Sequence, residues 1–346
     1  MGIFAKNKDF FGLDIGTTGI RVVQLAGGTV KPNLMRFGSI KVDSKMVQSN
    51  APGDQGKLAK TIKKLVTDSG IKSTSVVIGV PSKQVYSSVI ETAQLTPQEL
   101  GKSINYLAEK YIPVPIDQVK LDWAQLGPSP VEPTKQEVLL LSVRNIFTES
   151  RLDMLGSIGL DVVSVQPEAL ASGRSLLPTG SIEPVLVLDL GANTSDLSIF
   201  VNGAPRLIRS ISVGGNTFVK SVMQGLGVDE EQAAQFVFKF GLNQQKLEGQ
   251  IYDAIHPGLQ SLIEEVNKSI QFFVNRYKGS KISKIIVTGQ TSSVPELPLY
   301  LVNQTQTAVE IGNSWTNVNY PSNTTEKLMS ASTEFSVAVG LAEASI

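Results

Sequence analysis

The strongest constraint on this chain is a short pattern that occurs twice, half a chain apart. The first copy, residues 11–19, reads FGLDIGTTG, and the second, residues 188–195, reads LDLGANTS. Each copy is an apolar stretch followed by an aspartate, one further residue, a glycine and a small polar turn. Each turn leads into another apolar stretch. An internal repeat at this distance predicts duplicated α/β domains around a cleft.

The two turns have the chemistry that a nucleotide phosphate tail requires. Turns of glycine, threonine and asparagine expose backbone N–H groups and hydroxyls, which bind phosphate oxygens. Since Mg²⁺ prefers carboxylates and water, Asp14 and Asp189 are the predicted metal ligands. One such turn alone would be a common hairpin, but a matched pair favours a nucleotide clamp. The predicted phosphate-binding residues are Gly16, Thr17, Thr18, Gly191 and Asn193.

Arg21 follows Asp14 by seven residues, on the predicted strand that leaves the first turn. Period-two alternation places Ile20 and Val22 on one face of that strand and Arg21 on the other. Arg21 is either a phosphate ligand or a solvent-facing arginine, and the pattern favours neither interpretation.

The composition narrows the classes of function. A chain of 346 residues is long enough for two domains with large cores. Lys plus Arg is 31 and Asp plus Glu is 31, which gives no general attraction to nucleic acid or to an anionic membrane. The chain has no cysteine, which excludes disulfides and thiolate metal sites, and His256 is its single histidine. No signal peptide or membrane helix is visible, so we expect a cytoplasmic protein without direct membrane insertion.

The order of predicted elements divides the chain into three parts. Residues 1–80 and 161–183 form the predicted first domain, residues 81–160 a small α+β insert, and residues 184–346 the second domain. The insert contains a helix that begins at the capping box Thr96-Pro97-Gln98-Glu99. In the second domain, His256-Pro257 is interpreted as a helix break, so a long helix is expected from about residue 258 to 278.

These elements resemble the actin-like ATPase superfamily. Its first phosphate turn, connecting segment, second phosphate turn and late adenosine motif match residues 14–21, 165–173, 189–196 and 287–291. The resemblance implies duplicated ribonuclease-H-like domains around a nucleotide cleft, with ATP and Mg²⁺ as cofactors. It places Glu168 in the connecting helix, where the superfamily often has a polar residue that orients the attacking water. It places Gly289 and Gln290 on the adenosine side.

Within the superfamily, the chain resembles the PilM family of type IV pilus assembly proteins over nearly its whole length. The matching segments are 110–117 (KYIPVPID), 121–123 (LDW), 212–216 (SVGGN, with Gly214 and Gly215) and 335–342 (FSVAVGLA). The family implies a position at the cytoplasmic face of the inner membrane. It also implies binding of the N-terminal cytoplasmic peptide of PilN in a groove on the first domain and its insert. Other pilus platform and motor proteins are the further partners.

The adenosine side departs from the pattern of the related proteins. Gln290 stands where a second glycine is usual. When the chain is aligned on Lys239-Phe240-Gly241, Ala234 and Val237 replace the usual Glu and Lys. The loss of each charged hydrogen bond to a ligand costs roughly 1.5–3 kcal/mol. A shift of one helical turn would instead bring Glu230, Glu231 or Lys239 to the nucleoside.

Several functions therefore stay open at this stage. The chain is a pilus adaptor that uses nucleotide as a conformational ligand, an ATPase, or an actin-like scaffold without nucleotide. A cell-division filament protein similar to FtsA is the alternative, and the lack of an amphipathic tail after the closing helix argues against it. A sugar kinase would need a catalytic aspartate in a substrate domain, and no residue is a specific candidate for that role.

Overall fold

The computed structural model describes residues 9–27 and 31–345, and these contain strands, α-helices and short 3₁₀ turns. The strands are β1 Phe10–Ile15, β2 Gly19–Ala26, β3 Asn33–Lys41, β4 Ser75–Val80, β5 Val85–Ala93, β6 Val119–Pro128, β7 Lys135–Arg144, β8 Asp161–Pro167, β9 Val185–Leu190, β10 Ser195–Val201, β11 Ala204–Ile211, β12 Lys284–Thr288 and β13 Ala308–Ile311. The helices are α1 Ser44–Gln48, α2 Pro52–Asp68, α3 Pro97–Ala108, α4 Asn145–Gly156, α5 Glu168–Leu176, α6 Gly215–Leu226, α7 Glu230–Phe240, α8 Gln250–Arg276, α9 Leu297–Thr305, α10 Thr325–Ser330 and α11 Ser336–Ala342.

The chain forms two compact units. The first takes in the described residues up to Pro81, Ile146–Pro178 and the chain from Asn313 onward, and the second takes in Ser82–Asn145 and Thr179–Gly312. This division differs from the boundaries expected from the sequence. The insert joins the second unit, whereas α4 and the C-terminal segment join the first.

Buried side chains explain why α4 and the C-terminal segment belong to the first unit. Met154 and Leu155 of α4 pack into the core that β1 and α2 build. From the C-terminal segment, Trp315 and Phe335 pack around Val23 of β2. Burial of a large apolar side chain contributes roughly 1.5–3 kcal/mol to stability. These contacts therefore assign α4 and the C-terminal segment to the first unit, although both are far from β1 and β2 in the sequence.

The two units contain sheets of the same design. In the first unit the strand order is β3-β2-β1-β4-β8, and in the second it is β11-β10-β9-β12-β13. In both sheets the central strand pairs antiparallel with the strand that follows it and parallel with a later one. The duplication predicted from the repeated pattern is therefore present in the strand order.

The insert is a separate three-stranded sheet of order β5-β7-β6 with α3 packed on it. The predicted capping box is present, since Thr96 and Glu99 each bond the backbone of the other. Strand β5 was not predicted. Its middle section alternates weakly, and only Ile90 and Thr92 are buried.

A buried charge on β7 links the insert to the rest of the second unit. Glu137 is 2% exposed. Its Oε1 accepts hydrogen bonds from Arg276 Nη2 at 2.9 Å and from the Tyr277 hydroxyl at 2.9 Å. Arg206 Nε lies 3.5 Å from Oε2. A buried carboxylate needs such partners, and here they come from β11 and the end of α8, so the insert packs with this unit.

The expected helix break at His256-Pro257 is wrong. Helix α8 begins at Gln250 and continues through Pro257 to Arg276. A proline removes one intrahelical hydrogen bond. The buried face of the helix, which includes Ile251, Ile255 and Leu259, compensates for that loss. His256 stacks on Tyr252 with a ring-centroid distance of 5.0 Å.

Candidate functional site

The first predicted phosphate turn joins β1 to β2 and contains a buried ion pair. The hairpin register places Asp14 directly opposite Arg21. Asp14 is 5% and Arg21 8% exposed, and Arg21 Nη1 lies 3.4 Å from Asp14 Oδ2. Arg21 Nη2 donates a second bond, 2.8 Å long, to Oε2 of Glu334. The interpretation of Arg21 as a solvent-facing arginine is therefore wrong.

The environment of Asp14 acts on its pKa in two directions. Burial raises the pKa of Asp14, because the charged form loses its water. The charge and hydrogen bond of Arg21 lower it again, but burial is the larger effect. The carboxylate thus depends on Arg21 for its charged state.

The guanidinium of Arg21 lies directly against the turn. Its Nη1 donates to the carbonyl of Gly19 at 3.3 Å. A Cβ atom on Gly16 would stand 3.2 Å from Nη1, and one on Gly19 would stand 3.5 Å from Nη2. Glycine at these positions leaves room beside a positive charge, which is the arrangement that a phosphate oxygen needs. Thr17 and Thr18, between the two glycines, are partly exposed.

The second predicted turn, between β9 and β10, is held closed by its own backbone and by α6. The Gly191 N–H donates to the Thr194 carbonyl at 3.0 Å. The Gly191 carbonyl accepts from the Gly215 N–H at 3.0 Å and from the Thr291 hydroxyl at 2.9 Å. Asn193 Oδ1 accepts from Asn216 Nδ2 at 2.8 Å. The N-terminus of α6 and the 3₁₀ turn after β12 are thereby fixed to this turn.

Two glycines make this close packing possible. A Cβ on Gly214 would lie 2.6 Å from the Ala192 carbonyl oxygen. Gly289 has φ +83°, and a Cβ there would meet the Asp189 carboxylate and the Leu190 carbonyl. The second unit therefore brings six of the predicted site residues into one cluster: Asp189, Gly191, Asn193, Gly214, Gly215 and Gly289.

Asp196 is a candidate residue that the sequence reasoning missed. It lies directly opposite Asp189 across β9 and β10 and accepts a hydrogen bond of 2.6 Å from the Ser210 hydroxyl. Burial raises its pKa, while hydrogen bonds from Ser210 and Ser82 lower it. One signal was available, since Asp196 follows Asp189 by the same seven positions that separate Arg21 from Asp14.

Glu168 is the first residue of α5, as the superfamily pattern predicts. A Cβ on Gly79 of β4 would stand 2.8 Å from Glu168 Cγ, so the side chain lies against this strand. The charge of Glu168 raises the pKa of Arg151 on α4, although burial lowers that pKa by more. Glu168 thus lies beside a partly buried cation of the first unit.

The other positions expected on the adenosine side lie in different surroundings. Val237 is fully buried, and Ala234 packs against the same core. Lys239 is exposed, and its Nζ lies 5.4 Å from the centre of the Phe240 ring. Gln290 is exposed at the start of a 3₁₀ turn. Ala234 and Val237 therefore contribute to the core of the second unit.

A groove between α2 and α4 is a second candidate site, and it lies wholly within the first unit. Its volume is about 570 Å³. Ile146, 75% exposed, and the carboxylates Glu149 and Asp153 line it from α4. Gly56 lines it from α2, and a Cβ on this glycine would meet no atom within 4 Å. The groove thus presents one exposed apolar side chain beside two carboxylates.

Two further observations concern metal ions and membrane spans. Among residues 9–27 and 31–345, no group of three or more His, Asp and Glu side chains is arranged to hold a metal ion. Within the same residues, no helix is long and apolar enough to span a bilayer.

Comparisons with known proteins identify relatives of the chain. Among solved structures, a PilM-PilN type IV pilus biogenesis complex superposes with a TM-score of 0.83 at 26% identity, covering 97% of this chain and 98% of the other. MreB5 of Spiroplasma citri bound to AMPPNP gives a TM-score of 0.55 at 14% identity, covering 97% and 95%. EutJ from Carboxydothermus hydrogenoformans gives 0.54 at 13%, covering 96% and 88%. These similarities confirm the predicted actin-like fold.

Sequence comparison leads to the same family. Cell division protein FtsA of Neisseria meningitidis serogroup B (strain ATCC BAA-335 / MC58) is 25% identical over 266 residues, which are 68% of this chain. The chain spans 62% of the length of that curated relative. The family model for type IV pilus assembly protein PilM matches residues 12–345. The chain therefore belongs to the PilM family of type IV pilus assembly proteins, as the sequence motifs predicted.

Proposed function

We propose that this protein is a cytoplasmic actin-like adaptor of type IV pilus assembly that binds ATP with Mg²⁺ and the N-terminal peptide of PilN. The glycine cluster around the second turn carries the nucleotide part of the proposal. Its glycines let the turn, the start of α6 and the 3₁₀ turn after β12 pack closely, so that backbone and small polar groups of the kind that bind phosphate converge there. Membership of the PilM family carries the pilus part.

Each turn by itself offers different groups to a nucleotide. In the first turn, Arg21 supplies a positive charge beside Gly16, with Thr17 and Thr18 as further donors. In the second turn, Asp189 supplies a carboxylate to Mg²⁺, and Asn193 lies at the same turn. Bound Mg²⁺ would neutralise charge on the phosphates. Asp14 is the second carboxylate directed at the metal.

In this proposal, the nucleotide is a ligand that stabilises one conformation, and its hydrolysis is not required. Ala234 and Val237 leave the adenosine side without the two charged contacts that relatives have. Glu168 is the candidate to orient a water if turnover occurs, and it belongs to α5 of the first unit. A weak ATPase is therefore the upper limit of the proposal.

The groove between α2 and α4 is the proposed PilN site. The solved PilM-PilN complex shows that a protein of this fold assembles with PilN. Gly56 lies inside a helix, where glycine is destabilising by roughly 0.5–1 kcal/mol relative to alanine. Among the described residues, no contact requires glycine there. The role proposed for Gly56 is to allow close approach of a partner peptide to the helix backbone. Binding there would hold the protein at the cytoplasmic face of the inner membrane.

Calorimetry with two ligands tests the proposal. MgATP and a synthetic peptide with the PilN N-terminal sequence of the same genome are titrated separately. Gly56→Leu fills the groove and is expected to abolish peptide binding. Gly53→Leu is the matched control, because Gly53 is also a helical glycine without neighbours within 4 Å but does not line the groove. If both variants bind the peptide like the parent protein, PilN does not bind in this groove.

A filament protein similar to FtsA is the second candidate, and the FtsA relative is the observation that favours it. Polymers that sediment with lipid vesicles in the presence of MgATP would support it. An adaptor stays in the supernatant under the same conditions.

A further inference from the structure

Arg21 in the first turn has a partner from far along the chain. Its Nη2 donates a 2.8 Å hydrogen bond to Glu334, a residue 313 positions away. Asp14 is the other carboxylate at this guanidinium, at 3.4 Å. The two acids differ in their surroundings: the side chain of Asp14 is 7% exposed, whereas that of Glu334 is 42% exposed. Glu334 is therefore the partner that solvent or a ligand reaches.

The two carboxylates also differ in how firmly they are held. Asp14 is part of β1, at the centre of a five-stranded sheet. Glu334 ends the short 3₁₀ turn Ser332–Glu334 between α10 and α11. Ion pairs with a half-exposed partner contribute only about 0.2–1 kcal/mol, because water competes for both charges. The bond from Arg21 to Glu334 is weak enough to exchange.

The same guanidinium is the cation that a phosphate at this turn would use. Gly16 and Gly19 lie against its Nη1 and Nη2 atoms. One guanidinium therefore faces two carboxyl groups at this turn. A phosphate oxygen at this turn therefore meets repulsion from Glu334 and competes with it for the Nη2 donor.

We propose that Glu334 is a displaceable counter-ion of the first phosphate turn and that it sets the affinity of the protein for nucleotide. In the absence of nucleotide, Glu334 holds Arg21. A bound phosphate takes the Nη2 donor and releases Glu334 to solvent. This inference rests on the proposed function, in which ATP binds at the turns. It assigns Glu334 a positioning role through Arg21.

The test compares the affinities of Glu334→Gln and the parent protein for MgATP, MgADP and adenosine by calorimetry. The amide keeps the shape of the side chain and removes its charge. Loss of a pair of this kind is expected to tighten MgATP binding about fivefold. The gain is smaller for MgADP and absent for adenosine, because only phosphates contact Arg21. Glu334→Asp should restore affinity to within about twofold of the parent.

Two controls separate this role from a general effect of charge or folding. Glu326→Gln removes an exposed carboxylate of α10 in the same segment and is expected to leave MgATP affinity unchanged. In an Arg21→Lys background, Glu334→Gln should change affinity by less than in the parent, since the ammonium lacks the forked donor set.

The outcomes distinguish this inference from the proposed function. If the parent protein binds MgATP and Glu334→Gln binds it equally or more weakly, the counter-ion role is overturned and the nucleotide proposal stands. If neither binds any nucleotide at millimolar concentration, both fail. Binding by Glu334→Gln alone would support the counter-ion role most strongly.

Discussion

The two predicted phosphate turns share a hairpin register and differ in the residue that faces the aspartate. In each hairpin the residue seven positions after the aspartate lies directly opposite it: Arg21 faces Asp14, and Asp196 faces Asp189. In the first hairpin the carboxylate of Asp14 therefore faces the guanidinium of Arg21. In the second hairpin two carboxylates, those of Asp189 and Asp196, face each other. The shared register thus pairs the aspartate with a cation in the first hairpin and with a second acid in the second hairpin.

The largest expected effect comes from removing the cation of the first turn. Arg21→Ala leaves the buried Asp14 without its partner and is expected to cost about 3–5 kcal/mol of unfolding free energy. Urea unfolding followed by the fluorescence of Trp315, which is buried in the first unit, measures the loss. A Trp123→Phe background removes the other tryptophan.

An exposed arginine and a double variant provide the controls. Arg36→Ala on β3 is expected to change stability by less than about 0.5 kcal/mol. Arg21→Ala with Asp14→Asn should recover part of the loss, because the buried charge is gone. A loss for Arg21→Ala as small as that for Arg36→Ala would contradict the buried pair.

The glycines of the two turns should tolerate a methyl group differently. Gly289→Ala forces a positive φ on alanine and a clash with Asp189, for an expected loss of about 3 kcal/mol. Gly16→Ala brings a Cβ to 3.0 Å from the Gly19 carbonyl, a contact that a small shift relieves, for about 1 kcal/mol. Midpoints of urea unfolding by far-UV circular dichroism compare them. Equal losses of unfolding free energy would mean that the packing around Gly289 is no tighter than that around Gly16.

The two turns should also differ in their metal dependence if the proposed nucleotide site is right. Asp189→Asn is expected to weaken ATP binding about tenfold in Mg²⁺ and little in EDTA, since it removes one charged metal contact. Asp253→Asn, an exposed carboxylate of α8, is the matched control. Equal weakening with and without Mg²⁺ would place the metal elsewhere.

The smallest effect tests whether a nearby arginine is enough to keep a buried acid charged. Burial raises the pKa of Glu343 to about 7, although the charge of Arg174 lowers it. Among the described residues, neither carboxylate oxygen has a hydrogen-bond partner. Asp14 differs because Arg21 bonds it directly.

The sign of the pH effect follows from the raised pKa. The folded state favours protonated Glu343, so its contribution to stability is complete below about pH 4.5 and is lost as the pH rises through 7. We expect the protein to lose on the order of 1 kcal/mol between pH 5 and pH 8 from this group. Glu343→Gln should flatten that part of the urea-midpoint profile. A profile unchanged by the substitution would show that Glu343 stays charged when folded.

Local patterns predicted much of the fold. The hairpins around Asp14 and Asp189 and the capping box at Thr96 depend on residues within a few positions of one another, and the structure contains all three. The family followed from short motifs and was confirmed by the family model. The predicted start of α8 was wrong because Pro257 was treated as a helix break. The buried apolar face of the helix continues on both sides of this proline and stabilises the helix across it.

The site was predicted less completely than the fold. The glycines and aspartates of the turns could be proposed as ligands because their chemistry is local, and they stay predictions. The predicted nucleotide ligands, including Lys239, Gln290 and Glu168, stay predictions. Asp196 was missed because a single strand does not show which residue lies opposite it.

The sequence by itself determined the duplicated strand–turn design, the two aspartates and the family, because these depend on residue order over a few positions. Only the tertiary structure decided which charged side chains pair with each other. Glu334 reaches Arg21, and Arg276 reaches Glu137, across 313 and 139 positions. A buried charge must find a partner wherever packing brings one, and packing depends on the whole fold.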